Sequence, residues 1–369
     1  MTGPLRVGIV GCGAIIAQYL ATFDRLTDVR LVAVADLDPS RAAAVAEGRD
    51  GVRACTPTEL VADDDVDLVL NLTIPSAHAE VALAAIAAGK HVYGEKPLAA
   101  TSTQARRVLD AATAAGVIVG CAPDTVLGTG VQTARRAVDD GLIGRPLAAS
   151  ATMAVPGHER WHPNPDFYYV PGGGPLLDMG PYYVSALVTL VGPVTSVVGA
   201  AGRARDSRTI GSGPRAGEEI PVSTDTHVTG VLTHASGALS TLVMSFDTVA
   251  TRASNLEVHG VSGSLVVPDP NHFGGDVLLR RLGSPEWETL PVSAGYTDAG
   301  RGYGVADLAR TPAGDLPRAS GALAFHVLDV LESLLAAAAQ GRALPVASSV
   351  DRPPAVPLQS LAAAPAVPV

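Results

Sequence analysis

Cysteine is scarce in this chain: three residues, Cys12, Cys55 and Cys121, in 369. They lie far apart, their number is odd and no C-x-x-C occurs, which argues against a disulfide framework. Aromatic residues make up only 4% of the sequence, so the core must be built from Ala, Val and Leu. Basic charge is short as well. The formal net charge of -10 argues against nucleic acid or an anionic membrane as the main partner. An anionic small molecule stays compatible, because backbone N–H groups can hold it locally. No uninterrupted apolar run reaches the ~20 residues of a membrane span. A strand is expected from Leu5, where a signal peptide would have its apolar core. These absences predict a soluble, cytoplasmic protein.

What is present reads as globular: 47% hydrophobic and 17% charged residues, in a chain long enough for two domains. The first third alternates short β-branched runs with Ala-rich helical stretches. The runs are 5–10, 29–36, 66–73, 91–95 and 117–121; helices are expected over 79–88 and 103–115. Strands without a polar face, alternating with helices, predict a parallel sheet covered on both sides. After about Gly144 the pattern changes. One more strand starts at Pro146, a Pro/Gly/His/Asn-rich loop runs over 155–174, and an apolar helix covers 178–191. From 194 to about 292 alternating polar and apolar positions predict an antiparallel or mixed sheet. A last helix is expected over 319–340. The domain reading is 1–125, 126–350 with the last helix packing back toward the first domain, and a Pro/Ala-rich tail over 351–369.

Two constellations carry chemistry. "VGIVGCGAIIAQYL" places Gly11 and Gly13 after a strand and before a helix, the arrangement that lets backbone approach a pyrophosphate. Asp36 ends the second strand, 23 residues after Gly13, where a carboxylate binds the ribose 2′-OH and repels a 2′-phosphate. NAD is therefore favoured, while Arg41 keeps NADP open. The third small position of the fingerprint is Ile16, which should hold the helix slightly away from the sheet. The second constellation is "HVYGEKPLA", with Lys96 at the C-terminal end of a parallel strand, the edge where open α/β sheets bind ligands. Pro97 holds the Lys96 backbone extended, and a cis peptide is compatible with it.

Further on, "GGGPLLDMGPYY" puts Asp178 and Tyr182 four residues apart, on one helical face. Two readings stay open for each: Asp178 as an N-cap or an active-site carboxylate, Tyr182 as a core tyrosine or a proton carrier. The helix starts at Asp178 or, alternatively, near Pro175, in which case Pro181 should bend it. "HERWH" (158–162) matches the H-E-x-x-H zinc signature, but the prolines around it leave no room for the required helix. No metal is expected. The loop reads instead as the lining of a substrate cleft, with Trp161, His162 and Asn164 as its candidate contacts.

Gly11-Cys12-Gly13, "NLTIPSAH" (71–78), "GKHVYGEKPLA" (89–99), "GLIGRP" (141–146) and "GGGPLLDMG" (172–180) together resemble the glucose–fructose oxidoreductase, inositol dehydrogenase and rhizopine-catabolism family, Gfo/Idh/MocA. The resemblance covers nearly the whole chain. It implies an α/β fold: an N-terminal Rossmann domain plus a C-terminal α+β domain with an open, largely antiparallel or mixed sheet that commonly forms subunit interfaces, hence a homodimer or homotetramer. It implies NAD(P) and oxidation or reduction of a secondary carbinol on a sugar or cyclitol. The catalytic lysine of the family falls on Lys96 and its helix acid on Asp178. Tyr182 stands where many members carry His, and Asp124 where they carry an Asn near the nicotinamide. The cofactor would lie on Gly11, Cys12, Gly13, Ala14, Ile15 and Ile16. It would extend along Asp36, Leu37 and Arg41, over Thr73, Ile74, Pro75 and His78, and to Glu95, Lys96 and Asp124. Lys96, Asp178 and Tyr182 would meet the substrate with the loop residues. The expectation is an NAD-dependent sugar or cyclitol dehydrogenase; a redox glycosidase that retains its NAD, and a silent sugar or NAD sensor, are the alternatives.

Overall fold

The structure is a computed structural model that describes residues 3–312 and 314–361. The chain divides into two compact units. The first begins with β1 (Leu5–Val10), α1 (Ile16–Phe23), β2 (Val29–Ala35), α2 (Pro39–Ala46), β3 (Arg53–Cys55), α3 (Pro57–Ala62), β4 (Leu68–Asn71), α4 (Pro75–Ala87), β5 (His91–Gly94), α5 (Ser102–Ala115) and β6 (Val119–Cys121). All pairings are parallel, in the order β3-β2-β1-β4-β5-β6. Strand order reverses between β1 and β4, and such a switch point is where doubly wound sheets bind ligands. The central strands are buried on both faces: Val7, Ile9, Leu68 and Leu70 are fully enclosed. Local chemistry sets the helix starts. Asp38 caps α2, Thr56 and Glu59 form a capping box on α3, and Thr101 caps α5.

The second unit begins at Thr129. It contains α6 (Thr129–Asp139), β7 (Pro146–Ala154), α7 (Gly174–Val191), β8 (Val194–Gly202), β9 (Ser207–Thr209), β10 (Glu219–Pro221), β11 (His227–His234), β12 (Leu239–Ser245), β13 (Leu256–Gly260), β14 (Gly263–Val267), β15 (Leu278–Arg281) and β16 (Glu288–Thr289). The chain continues through α8 (Tyr303–Ala309), α9 (Gly321–Gln340) and β17 (Leu344–Pro345). Nine strands form one mixed sheet, β16-β15-β14-β13-β7-β12-β11-β8-β17; β7 and β12 run parallel and the other neighbours antiparallel. β9 and β10 pair separately.

Two expectations need correction. The units do not divide at 125 and 350: the first also takes Ala294–Phe325 and the chain from Val356, while the second takes 129–293 and 326–355. The reason is a set of remote backbone bonds. Tyr296 donates its N–H to Leu127, Gln359 bonds Gly295, and Gly302 and Gly304 both donate to the Asp124 carboxylate. Residues 362–369 of the expected tail lie outside the described residues. Second, α7 starts at Gly174 with Pro175 in its first turn, where a missing N–H costs nothing. Asp178 is therefore no N-cap. It lies in the helix, and Pro181 inside α7 leaves the Leu177 carbonyl without its usual N–H partner.

Among the described residues α9 is long and apolar enough to cross a membrane by length and composition, with Asp329 and Glu332 interrupting its apolar residues. Its Leu331, Leu334 and Ala337 are buried, and His326, fully enclosed, accepts from the Val194 N–H at 3.1 Å and meets Ser348 Oγ at 2.9 Å. Such pairing belongs to the interior of a folded unit.

Candidate active site

The first unit carries a glycine loop after β1. Gly11 adopts φ +104°, and a Cβ there would stand 2.6 Å from the Leu72 carbonyl oxygen, so no side chain fits. Gly13 differs: its φ is not positive and a Cβ would meet nothing within 4 Å. The protein does not need glycine at 13 for its own packing. Asp36 locks the loop from β2, its Oδ2 accepting the Cys12 N–H at 2.7 Å and its Oδ1 the Asp38 N–H at 2.9 Å. Burial, with the Asp36 charge added, pushes the Cys12 thiol up to about 11, so it stays protonated. Arg41 leans toward Asp38 at 3.6 Å. Ile16 is buried at the start of α1 and turns its bulk into the interior. Neither α1 nor α4 has a side-chain cap on its first N–H groups. Leu37 and Ile74 are 94% and 68% exposed apolar side chains at the ends of β2 and β4. An open approach over Gly13, an uncapped helix N-terminus and a carboxylate at the end of β2 fit a dinucleotide.

That difference between the two glycines is testable. Gly13→Ala should unfold within about 1 kcal/mol of wild type and yet bind NAD roughly tenfold more weakly. Gly11→Ala should lose at least ~2 kcal/mol of stability, from backbone strain and overlap with Leu72. Chemical denaturation and calorimetric titration with NAD check both; unchanged NAD affinity in Gly13→Ala would take the pyrophosphate off this loop.

At the ends of β4 and β5 the side chains face inward. Asn71 is buried, accepts from Thr73 Oγ1 at 2.6 Å and donates to the His78 carbonyl at 3.0 Å. Thr73 stays half-buried and Pro75 exposed beside Ile74. His78 is 2% exposed, with its ring nitrogens 2.6 Å from the Pro97 and 3.0 Å from the Thr73 carbonyl oxygens. It staples the loop after β4 to the loop after β5, the core role that stood beside a cofactor contact as a reading of this histidine. Glu95 is likewise buried. It accepts from Tyr19 Oη at 2.8 Å and from the Lys96 N–H at 3.0 Å, fixing the backbone that carries Lys96. The Lys96–Pro97 peptide is cis. Asp124 is fully enclosed and receives the Gly302 and Gly304 N–H groups at 2.8 and 3.0 Å; burial pushes its carboxyl above the ordinary range. It caps the start of α8 and is corrected from a nicotinamide contact to a structural group.

In the second unit "HERWH" forms a 3-10 turn, His158–Arg160, instead of an α-helix. Its Glu159 points into the interior, bonded to Arg208 at 3.2 Å and to Tyr169 Oη. Arg208 also pairs with Asp247 and donates to the Pro156 and Phe246 carbonyls at 3.3 and 3.1 Å. Among the described residues no three His, Cys, Asp or Glu side chains gather as a metal site. Trp161 is 58% exposed and Asn164 also faces solvent. His162 accepts the Asn164 N–H at 3.1 Å, and burial holds its ring below the ordinary histidine value. Tyr182 is buried in α7. Asp178 meets a residue that sequence reasoning passed over: His158 Nε2 stands 3.1 Å from its Oδ2. No spacing rule links positions 158 and 178. The available signal was a histidine in an aromatic-rich loop ahead of the acid. Lys96 belongs to the first unit; Asp178, Tyr182 and the loop belong to the second.

Residues 5–122 match the family described as an oxidoreductase family with an NAD-binding Rossmann fold, and residues 131–266 match the GFO/IDH/MocA C-terminal domain. The 1,5-anhydro-D-fructose reductase of Ensifer adhaerens is 32% identical over 268 residues, 71% of this chain and 75% of that protein. Inositol 2-dehydrogenase 3 of Saccharopolyspora erythraea is 37% identical over 154 residues, 41% of this chain and 46% of its own length. Among solved structures, an NAD binding oxidoreductase from Klebsiella pneumoniae superimposes with a TM-score of 0.80 at 25% identity, over 94% of this chain and all of that one.

Proposed function

Starting from a chain that belongs to the GFO/IDH/MocA family of NAD-binding oxidoreductases, we propose that it moves a hydride between NAD and a secondary ring hydroxyl of a sugar, glycoside or cyclitol. The product is a keto-sugar or an inosose. The observation that carries this reading is the glycine loop locked by Asp36, with open space over Gly13. The two curated relatives, by name a reductase of anhydrofructose and a dehydrogenase of inositol, support the substrate class.

Bound NAD supplies or accepts the hydride. The Gly11–Gly13 backbone and the first turn of α1 hold its phosphates, and Asp36 takes the ribose hydroxyls and favours NAD over NADP. The protein's own residues handle the proton and the substrate. Lysine occurs at two positions only. Lys90 precedes β5 and donates to the Asp63 carbonyl at 2.8 Å, and Lys96 stands at the C-terminal edge of the sheet, where ligands bind. Lys96 takes the hydroxyl proton during oxidation and returns it during reduction. Asp178 orients the substrate by accepting from one of its hydroxyls, and Tyr182 is the partner or alternative of Lys96 in proton transfer. Trp161, His162 and Asn164 meet the sugar, Trp161 through its exposed face.

A screen of NAD reduction over cyclitols, aldoses, anhydro-sugars and glycosides tests the reading. Turnover on at least one ring alcohol is expected. Tight NAD binding with no turnover on any of them would overturn it.

A further inference from the structure

The pair of His158 and Asp178 has features that an ordinary loop contact lacks. Trp161 Nε1–H, which can only donate, lies 3.3 Å from His158 Nδ1. That ring nitrogen is therefore the acceptor, and the ring N–H sits on Nε2. Nε2 faces Asp178 Oδ2 at 3.1 Å, so histidine donates and the carboxylate accepts. The imidazole is clamped edge-on by Tyr168 and Trp161, with ring centroids at 4.8 and 5.1 Å, and Phe246 lies at 4.4 Å. Both partners are mostly shielded yet not sealed, with side-chain exposures of 14% and 17%.

The loop has a second, separate anchor beside this bond. Glu159, the next residue, already anchors it through the buried Arg208 and Tyr169. A polar histidine aimed at an acid, beside an independent anchor, is spare as architecture. Trp161 adds a direction: one edge of the indole is tied to His158 while much of the side chain is exposed.

We propose that His158 is a positioning residue of the reaction. It occupies one oxygen of Asp178, fixes the carboxylate's rotamer and so limits the side from which a substrate hydroxyl can bind. Through Trp161 it ties that alignment to the surface on which a sugar ring stacks. The inference rests on the reading of Asp178 as a substrate-binding carboxylate.

The test compares His158→Phe, which keeps an aromatic ring, with His158→Gln, which keeps an N–H donor, each with and without Asp178→Asn. On the substrate found by the screen, His158→Phe should lower kcat/KM roughly 10- to 100-fold with unchanged NAD affinity. His158→Gln should recover most of that loss. In the Asp178→Asn background the same His158→Phe change should cost less than about threefold, because the bond is already altered. If His158→Phe fails to fold, Trp161→Phe takes its place: it removes the donor to Nδ1 and should lower kcat/KM in the same direction, with a smaller additional loss in Asp178→Asn. Wild-type kcat/KM in His158→Phe, no recovery in His158→Gln, or effects that multiply fully with Asp178→Asn would each overturn the proposal. A wild-type enzyme inactive on every sugar overturns the functional reading and this inference with it; an active wild type with unimpaired His158 variants overturns the inference alone.

Discussion

Replacing Lys96 by alanine should lower kcat roughly 10²- to 10⁴-fold, the range over which a positioned acid–base group contributes, while NAD still binds. The residue is built to be held still at its base. Its N–H donates to Glu95 at 3.0 Å, and Glu95 is buried and also held by Tyr19 of α1. The lysine backbone is thus tied to the helix that opens behind the glycine loop. Lys96→Arg separates two roles. Arginine keeps the positive charge but cannot give up a proton, so it should be nearly as impaired as alanine if proton transfer is the task. Steady-state kinetics with both variants, beside Tyr182→Phe, decide the matter. A Lys96→Arg enzyme with wild-type kcat would move the proton to another group, and Tyr182 would be the first to examine.

The largest expected loss of stability comes from the second unit. Arg208→Met should cost about 3–5 kcal/mol, the range for breaking a buried ion pair by removing one partner. The Arg208 side chain is 1% exposed, and Glu159 and Asp247 are 4% and 12% exposed. Without the guanidinium two enclosed carboxylates lose their counter-charge, and the Pro156 and Phe246 carbonyls lose a donor. The Tyr169 ring, 5.3 Å from the guanidinium carbon, loses its cation as well. Neutralising the partners should recover part of the loss, so Arg208→Met with Glu159→Gln and Asp247→Asn is expected to be more stable than Arg208→Met alone. Urea midpoints for the three proteins measure this. A single variant with the wild-type midpoint would show that the carboxylates find other partners. Because Glu159 adjoins His158, turnover should fall in Arg208→Met even below its unfolding range.

Where a residue's own neighbours set its conformation, the chain could be read without coordinates. β1, β2 and β4 are legible because strands covered on both faces are nearly continuous apolar runs. β3 is not: three residues, Arg53–Cys55, partly exposed at the sheet edge, carry no such run. The glycine loop is legible because Gly11 needs a positive φ and Asp36 ends the strand beside it. The start of α7 was ambiguous because two signals competed, an acid at 178 and a proline at 175, and the proline in the first turn prevailed.

The failures share one cause. Asp124 looks like a ligand residue until two N–H groups, at Gly302 and Gly304, claim its carboxylate from about 180 positions away. His78 reads as a cofactor neighbour or as a core residue alike until carbonyls from two loops engage both of its ring nitrogens. Glu159 turns inward to Arg208, which no local pattern announces, and His158 acquires meaning only against Asp178. Short-range sterics and periodicity are written in consecutive residues, so fold class, cofactor loop and lysine edge follow from the amino acids in order. A buried polar group must find its hydrogen-bonding partner wherever the chain brings one. Which acids serve the interior and which remain for chemistry was therefore settled in three dimensions, by partners that no local pattern encodes.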